Sequence, residues 1–234
     1  MDRHTPEVLL LQETKCSDAD FPTSVFASRG YEVAHWGDGQ WNGVAIASRI
    51  GLDDVIRGFP TGGDTPAAAR LISATCGGVR VHSVYVPNGR ELDDAQYLYK
   101  LIFLERLLGL TGSDLPTVLA GDFNVAPTDL DVYDPSRFRG RTHTSLEERA
   151  SVGALVRAGL RDVTREVHPG PEIYTWWNYR PQMFASNRGL RIDLVLCSPT
   201  IADAVTDVVI DTDERGGDTP SDHAPVTVEF DLAE

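Results

Sequence analysis

The chain has 234 residues, 41% of them hydrophobic, and a formal net charge of −14 at pH 7. This length suits one large core, so we expect a single domain over residues 1–234, while the short apolar runs and the polar start exclude a membrane-spanning helix and a signal segment. Three scattered cysteines exclude a disulfide framework and a thiolate zinc site, and they favour a reducing, cytoplasmic location.

The first predicted strand is the apolar run of residues 8–11, which is typical of a strand buried on both faces. The polar segment Gln12-Glu13-Thr14-Lys15 follows it directly. Glu13 therefore lies at a strand end, where α/β proteins collect functional groups. A solvated loop carboxylate is the alternative.

Four further strands are predicted at residues 31–36, 43–49, 69–76 and 79–86, because these short β-branched runs are bounded by Gly, Asp and Pro. The last of them ends in Tyr85, Asn88 and Arg90. This end carries a phenol, an amide and a guanidinium. A simple turn is the alternative, since Pro-Asn-Gly is strong turn chemistry.

Two helices are predicted in the middle of the chain. Asp93 is expected to cap the first, with Gln96 in a capping box and a core-facing stripe of Tyr97, Leu101, Leu104 and Leu108. Ser145 and Glu148 are expected to form the capping box of the second, over residues 145–159. Between the helices, Arg137, Arg139 and Arg141 form a basic stretch that is either a solvated loop or a phosphate-facing one.

The segment at residues 116–124 places two polar groups after another buried strand. Gly121 allows the backbone to turn, and Asp122 and Asn124 follow two positions apart. Residues i and i+2 of an extended segment point the same way, so the carboxylate and the amide should face one spot. Ordinary turn formation is the alternative.

The last third of the chain adds further polar strand ends. An aromatic strand is predicted at residues 174–180, and buried strands at 190–196, 207–211 and 225–230. Asp193 is embedded among apolar residues and needs a partner, because a lone buried charge is very costly. Asp222 and His223 precede the final strand and form a possible acid–base unit.

Taken together, these strand ends predict a carboxylate-rich pocket with one imidazole and one phenol. Oxygen ligands without thiols suit Mg²⁺ or Mn²⁺. A divalent metal together with a general base is suited to phosphoester hydrolysis. The acidic net charge fits such a site, although it lowers the expectation of a nucleic-acid partner.

The chain contains, in this order, the motifs LLLQETK, YVPNG, GDFNVAPTDLDVYDP, TWWNYR, NRGLRIDLVL and PSDHAPV. These motifs and their order resemble those of the exodeoxyribonuclease III group of apurinic/apyrimidinic endonucleases. The resemblance covers residues 7–230. It implies a four-layered α/β sandwich, in which two packed, mostly antiparallel sheets are flanked by helices.

The resemblance also implies roles for individual residues. Glu13 matches the metal-binding Glu, and the implied metal-site set is Glu13, Asp122, Asn124, Asp222 and His223. Asp122 matches the Asp that orients or deprotonates water, and Asn124 the Asn that stabilises the transition state. His223 matches the His at the scissile phosphate, and Asp193 the Asp that holds its imidazole.

Substrate-facing positions follow from the same resemblance. Tyr85 matches the active-site Tyr and Asn88 a phosphate-contacting Asn. Trp176 and Leu190 match the apolar walls of the pocket for a flipped-out abasic sugar.

The chain departs from the family pattern in two places. Relatives begin with a strand and a helix that precede the QET strand, and this chain starts just before that strand. Either the true start lies upstream or this is a shortened relative, and we expect the chain as written to be poorly soluble or weakly active. The acidic segment 214–218 also precedes PSDH, where relatives tend to carry Lys.

The leading hypothesis is a monomeric, Mg²⁺- or Mn²⁺-dependent DNA-repair phosphodiesterase that acts on double-stranded DNA. It would cut the backbone 5′ to abasic sites and remove nucleotides from 3′ ends, leaving 3′-hydroxyl groups. One alternative is a phosphodiesterase acting on a small phosphate ester or a lipid headgroup. Another is an inactive relative that only binds DNA or protein.

Overall fold

The computed structural model describes residues 4–60, 68–180, 182–217 and 219–232. The chain forms two compact units, which we term the first unit (Met1–Tyr85 and Ser113–Asp122) and the second unit (Val86–Gly112 and Phe123–Glu234). The expectation of one domain over residues 1–234 stays a prediction. None of the helices in the described ranges has the length and apolar character needed to cross a membrane.

The strands in chain order are β1 Val8–Gln12, β2 Glu32–Trp36, β3 Val44–Ser48, β4 Asp53–Arg57, β5 Leu71–Cys76, β6 Val79–Tyr85, β7 Thr117–Asp122, β8 Arg161–Asp162, β9 Asp193–Cys197, β10 Val205–Ile210 and β11 Val226–Phe230. The helices are α1 Thr23–Ala27, α2 Ala95–Leu107, α3 Pro135–Phe138, α4 Leu146–Arg157, α5 Val163–Val167 and α6 Pro199–Asp203. Single 3₁₀ turns follow α2 and lie before α3 and β11.

Two sheets pack face to face in the first unit. One has the antiparallel order β1-β3-β2, and the first unit's part of the other has the order β4-β5-β6-β7, in which only the β6–β7 pair is parallel. Their facing apolar side chains form a common cluster, with Val44 and Ile46 from one sheet and Ile72, Ala74 and Val81 from the other. Such face-to-face burial is how a sheet covers its apolar side.

The outer face of the β1-β3-β2 sheet is covered by α1 and its flanking loops. Phe21, Phe26 and Tyr31 pack there against Ala45 and Ala47. The first unit is therefore layered as helix, sheet and sheet, which agrees with the expected α/β architecture.

Strand β7 delivers Asp122 beside Tyr85, because the parallel register pairs Val84 with Gly121 and Tyr85 with Asp122. Gly121 has a φ of +139°, and a Cβ there would lie 2.1 Å from the carbonyl oxygen of Val84. Only glycine tolerates this conformation and this close approach. The turn predicted at Gly121 is wrong, because β7 continues through Gly121 to Asp122, and glycine is needed there for its positive φ and for the close approach of β6.

In the second unit, helices α2 and α4 pack together. Its strands form two antiparallel pairs, β8–β9 and β10–β11. The capping box of Ser145 and Glu148 at the start of α4 is confirmed. Helix α2 begins one residue later than predicted, because Asp94 and not Asp93 accepts a hydrogen bond from the backbone N–H of Gln96.

The predicted core stripe of α2 was only partly right. Its buried face consists of Tyr97, Lys100, Phe103, Leu104 and Leu107. Leu101 and Leu108 are only half-buried. The stripe therefore includes a lysine, which helical spacing of apolar residues alone does not identify.

The predicted aromatic strand at residues 174–180 is wrong. Among these residues only Trp176 forms bridges, one to Leu190 and one to His223. The segment is an irregular loop whose backbone pairs locally with two different partners. Strand β4 was not predicted, because it begins with Asp53 and Asp54 and its pairing with β5 contains a register shift.

Candidate active site

The first unit brings Glu13, Tyr85 and Asp122 to neighbouring strand ends. Gln12, the last residue of β1, donates from its side-chain amide to the Ser83 hydroxyl at 3.0 Å. The Ser83 hydroxyl donates to the Leu11 carbonyl at 3.2 Å. These two bonds tie the end of β1 to β6, so that Glu13 and Tyr85 lie close together.

The environment of Tyr85 shows that two carboxylates are close to one phenol. Burial raises the pKa of Tyr85 well above its ordinary value, and a hydrogen bond to Glu13 and the negative charges of Glu13 and Asp122 raise it further. The guanidinium of Arg70 lies 4.5 Å from the Tyr85 ring centroid and opposes this rise in pKa. Tyr85 therefore stays protonated at neutral pH, and its hydroxyl donates a hydrogen bond to the Glu13 carboxylate.

The loop after β1 holds Glu13 in the left-handed region, with a φ of +52°. Thr14 anchors this loop, because its hydroxyl lies 2.8 Å from Nε2 of the buried His35. Nδ1 of His35 lies 2.9 Å from a carboxylate oxygen of Asp18. Backbone strain of this kind, about 1–3 kcal/mol, persists where the surroundings fix it, and it is common at functional sites.

The second unit brings Asn88 and Asn124 into direct contact. The Asn88 amide donates to the side-chain oxygen of Asn124 at 3.2 Å. The Asn124 amide donates to the Val86 carbonyl at 3.0 Å. Asn124 is also left-handed, with a φ of +51°, a conformation that Asn tolerates better than most residues. The two amides are thus held in one orientation.

Asp193 and His223 form the predicted pair. Nδ1 of His223 lies 2.9 Å and 3.0 Å from the two carboxylate oxygens of Asp193. A carboxylate only accepts, so the ring hydrogen sits on Nδ1 and Nε2 is the basic nitrogen. Both side chains are largely buried, with exposed fractions of 25% for His223 and 15% for Asp193.

Thr175 holds Asp193 in place, a role that the sequence did not indicate. Its hydroxyl oxygen accepts hydrogen bonds from the backbone N–H groups of Ile192 and Asp193, both at 3.1 Å. Its carbonyl accepts from the N–H of Ala224 at 2.7 Å. One buried threonine therefore connects the start of β9 to the segment that carries His223.

Trp176 and Asp222 are also joined, since the indole N–H donates to a carboxylate oxygen of Asp222 at 2.8 Å. Leu190 is only 1% exposed and packs with Trp176, Val132 and Ile192. Trp176 is thus the partly exposed member of this cluster, and Leu190 is a fully buried one.

The donor chemistry fits a hard divalent cation. Glu13 and Asp122 both act electrostatically on Tyr85, which concentrates negative charge at that end of the first unit. Lys15 approaches Glu13 at 2.5 Å and partly compensates this charge. Within the described ranges, no cluster of three or more His, Cys, Asp or Glu side chains has the proximity of a metal cage. Such a cation would depend on few protein ligands, as Mg²⁺ commonly does.

Several supporting residues were missed by sequence reasoning: Arg70, His35, Thr175 and the buried Lys100 behind Asn124. Lys100 carried a signal, because it is one of only two lysines and falls at helical spacing within an apolar stripe. Thr175 carried none, since a threonine beside aromatic residues fits a surface loop equally well.

Comparison with known proteins shows the family of this chain. Residues 1–223 match the Endonuclease/Exonuclease/phosphatase family. This chain belongs to that family. It is 34% identical to exodeoxyribonuclease III of Haemophilus influenzae over 98% of this chain and 92% of that protein.

Two solved structures are similar along nearly the whole chain. The 3′ phosphatase NExo from Neisseria, solved with a product DNA hairpin, has 42% identity and a TM-score of 0.92 over 97% of this chain and 89% of its own. The AP endonuclease from Archaeoglobus fulgidus has 35% identity and a TM-score of 0.94 over 99% and 91%.

These likenesses confirm the expected exodeoxyribonuclease III resemblance, the α/β fold class and the hydrolase class. They agree with the expected DNA-repair nuclease function.

Proposed function

We propose that this enzyme is a Mg²⁺-dependent nuclease that trims and cleans the 3′ ends of duplex DNA and also incises 5′ to abasic sites, leaving 3′-hydroxyl groups. The observation that carries the proposal is the Asp193–His223 pair, with His223 Nδ1 2.9 Å from the carboxylate. The adjacent Trp176–Asp222 hydrogen bond supports it. This arrangement is suited to activating water for attack on phosphorus.

The imidazole of His223 acts as the general base in this scheme. Asp193 fixes the Nδ1–H tautomer, so that Nε2 removes a proton from the attacking water. The positive charge that develops on the ring is then stabilised by the Asp193 carboxylate. Asp122 is the alternative base, because it is a buried carboxylate beside Tyr85.

The amides of Asn88 and Asn124 stabilise the phosphate, and the phenol of Tyr85 acts on Glu13. The side-chain amides of Asn88 and Asn124 are hydrogen-bond donors suited to phosphoryl oxygens. Tyr85, protonated at neutral pH, orients the Glu13 carboxylate. Glu13 and Asp122 would hold Mg²⁺ or Mn²⁺, and the cation would supply polarisation of the phosphoryl group and compensation of charge on the leaving oxygen.

The comparisons support a ranking of the two proposed DNA activities. NExo, described as a 3′ phosphatase and a 3′–5′ exonuclease, has 42% identity with this chain, whereas the archaeal AP endonuclease has 35%. We therefore rank 3′-end processing first and abasic-site incision second.

We also propose that the enzyme is monomeric and cytoplasmic. Cys16, Cys76 and Cys197 are free thiols, which fits a reducing compartment.

Arg139 and Arg141 lie exposed beyond α3 and supply local positive charge to an acidic chain.

The test is a panel of end-labelled duplexes with Mg²⁺: one with a recessed 3′ end, one with a 3′ phosphate and one with an internal abasic site. We expect removal of 3′ nucleotides and 3′ phosphate, slower abasic incision, and no reaction with EDTA. Absence of hydrolysis on all three duplexes, or turnover of a small diester alone, would overturn the proposal.

The metal role of Glu13 is tested by Glu13→Gln, which should raise the Mg²⁺ concentration needed for half-maximal rate. Glu32→Gln is the matched control, because Glu32 is an exposed carboxylate at the start of β2 in the same unit. Equal Mg²⁺ dependence of the two variants would contradict a metal-binding Glu13.

A further inference from the structure

Helix α2 buries a lysine that takes no part in the chemistry described above. Lys100 and its partner Glu148 are both 0% exposed, and Lys100 Nζ lies 2.5 Å from Glu148 Oε1. Long charged side chains are almost never fully buried unless they are paired. A pair of this kind is weak evidence for stability, because desolvation offsets much of the attraction. The other contacts of Lys100 therefore need an explanation besides stability.

Those contacts converge on the backbone of the two asparagines. Lys100 Nζ donates to the carbonyl of Asn124 at 2.7 Å and to the carbonyl of Asn88 at 3.1 Å. Nδ1 of His143 donates to the same Asn124 carbonyl at 2.6 Å. Glu148 and the Thr142 hydroxyl, at 3.3 Å, are further acceptors, so the three N–H groups of the ammonium are all engaged.

Glu148 is itself fully engaged. It accepts from the Thr142 hydroxyl at 2.7 Å, from the His143 N–H at 3.0 Å and from the Ser145 N–H at 3.0 Å. Burial alone would raise the pKa of Glu148, but the charge and hydrogen bond of Lys100 hold that pKa below its ordinary value. The pair is therefore ionised and rigid at neutral pH.

The backbone that this network holds is strained. Asn124 has a φ of +51° and His143 a φ of +73°. Neither residue is glycine, so each needs surrounding contacts to persist in the left-handed region. The Asn124 carbonyl receives two short hydrogen bonds at this point, one from Lys100 and one from His143.

We propose that Lys100 and Glu148 are positioning residues, which hold the Asn88 and Asn124 amides in the orientation that stabilises the phosphate in the transition state. This inference rests on the proposed function of the two asparagines. The network binds the backbone carbonyls of the two asparagines, and it positions their side-chain amides through that backbone.

The test uses the double variant Lys100→Met/Glu148→Gln, which removes both buried charges together. Single variants would leave one buried charge without a partner. A loss of activity could then come from unfolding instead of from misplaced asparagine amides. The matched control is Arg161→Met/Glu166→Gln, which removes an exposed ion pair of the same unit.

Steady-state hydrolysis of the recessed duplex should show kcat lowered by about 10- to 100-fold, as expected for misplaced catalytic groups. KM for DNA and the Mg²⁺ concentration at half-maximal rate should stay at the wild-type values. The control pair should keep wild-type kcat. A purely structural role would instead move these quantities together with the melting temperature.

A second readout does not need activity: the side-chain amide signals of Asn88 and Asn124 in ¹⁵N NMR spectra. We expect them to shift and broaden in the double variant but not in the control. If wild type hydrolyses no DNA, the proposed function fails while the amide signals still test the positioning. Unchanged amide signals, or kcat within about twofold of wild type, would overturn the inference.

Discussion

Thr175 shows how a single hydroxyl can hold a catalytic pair. Its oxygen is the acceptor for the backbone N–H groups of Ile192 and Asp193. We predict that Thr175→Val leaves both groups buried without an acceptor, at about 1–3 kcal/mol each, and lowers the melting temperature and turnover. Thr175→Ser keeps the oxygen and is the control. Equal melting temperatures for the two variants would show that the oxygen is not needed.

At the residue scale, the sequence could predict groups that carry their own signal. Asp193 inside an apolar strand required a partner, and the structure provides His223. The support of these groups could not be predicted in the same way. Whether Lys100 points to solvent or to the Asn124 carbonyl depends on packing between α2 and α4, which no local pattern records.

At the element scale, the strands were predicted well where apolar runs ended in turn residues. Strands β3, β5 and β6 are buried runs of this kind. The segment at 174–180 has the same aromatic composition as a strand, yet its backbone bonds go to separate partners. Composition predicts that a segment is buried, but long-range pairing decides whether it becomes a strand.

Gly121 offers a test of how β7 is built. Gly121→Ala would place a Cβ 2.1 Å from the Val84 carbonyl oxygen, at a φ of +139°. Backbone strain of this kind costs about 1–3 kcal/mol before the overlap is counted. We predict a clearly lower melting temperature and loss of activity, because Asp122 is the next residue.

Gly109→Ala is the control for this substitution, since an added Cβ there meets nothing within 4 Å. It should melt close to wild type in the same calorimetric scan. A Gly121→Ala protein as stable as Gly109→Ala would mean that β6 and β7 can move apart without cost.

At the scale of the whole molecule, buried histidines should make stability depend on pH. Burial lowers the pKa of His82 from 6.5 to about 3. Burial and the charge of Lys100 lower the pKa of His143 from 6.5 to about 4. The unfolded chain therefore binds protons near pH 6.5 that the folded chain does not bind until much lower pH.

Stability should accordingly be complete above about pH 6.5 and should fall as the pH drops towards about 4. Each unit of pKa shift corresponds to about 1.4 kcal/mol, so the total loss is on the order of several kcal/mol. Thermal melts across this range measure it, and His82→Gln should flatten the dependence. A melting temperature that stays constant from about pH 7 to about pH 4.5 would contradict buried neutral histidines.

The central claim is that His223, oriented by Asp193, activates water for hydrolysis of the DNA backbone. Single-turnover hydrolysis of a recessed duplex by wild type and by Asp193→Asn tests it most directly. Asparagine keeps the shape but no longer enforces the Nδ1–H tautomer, so the rate should fall strongly, by up to about 10⁴-fold, with the melting temperature preserved. Asp203→Asn, an exposed carboxylate, should react like wild type. An Asp193→Asn rate within about threefold of wild type would contradict the account and make Asp122 the better base.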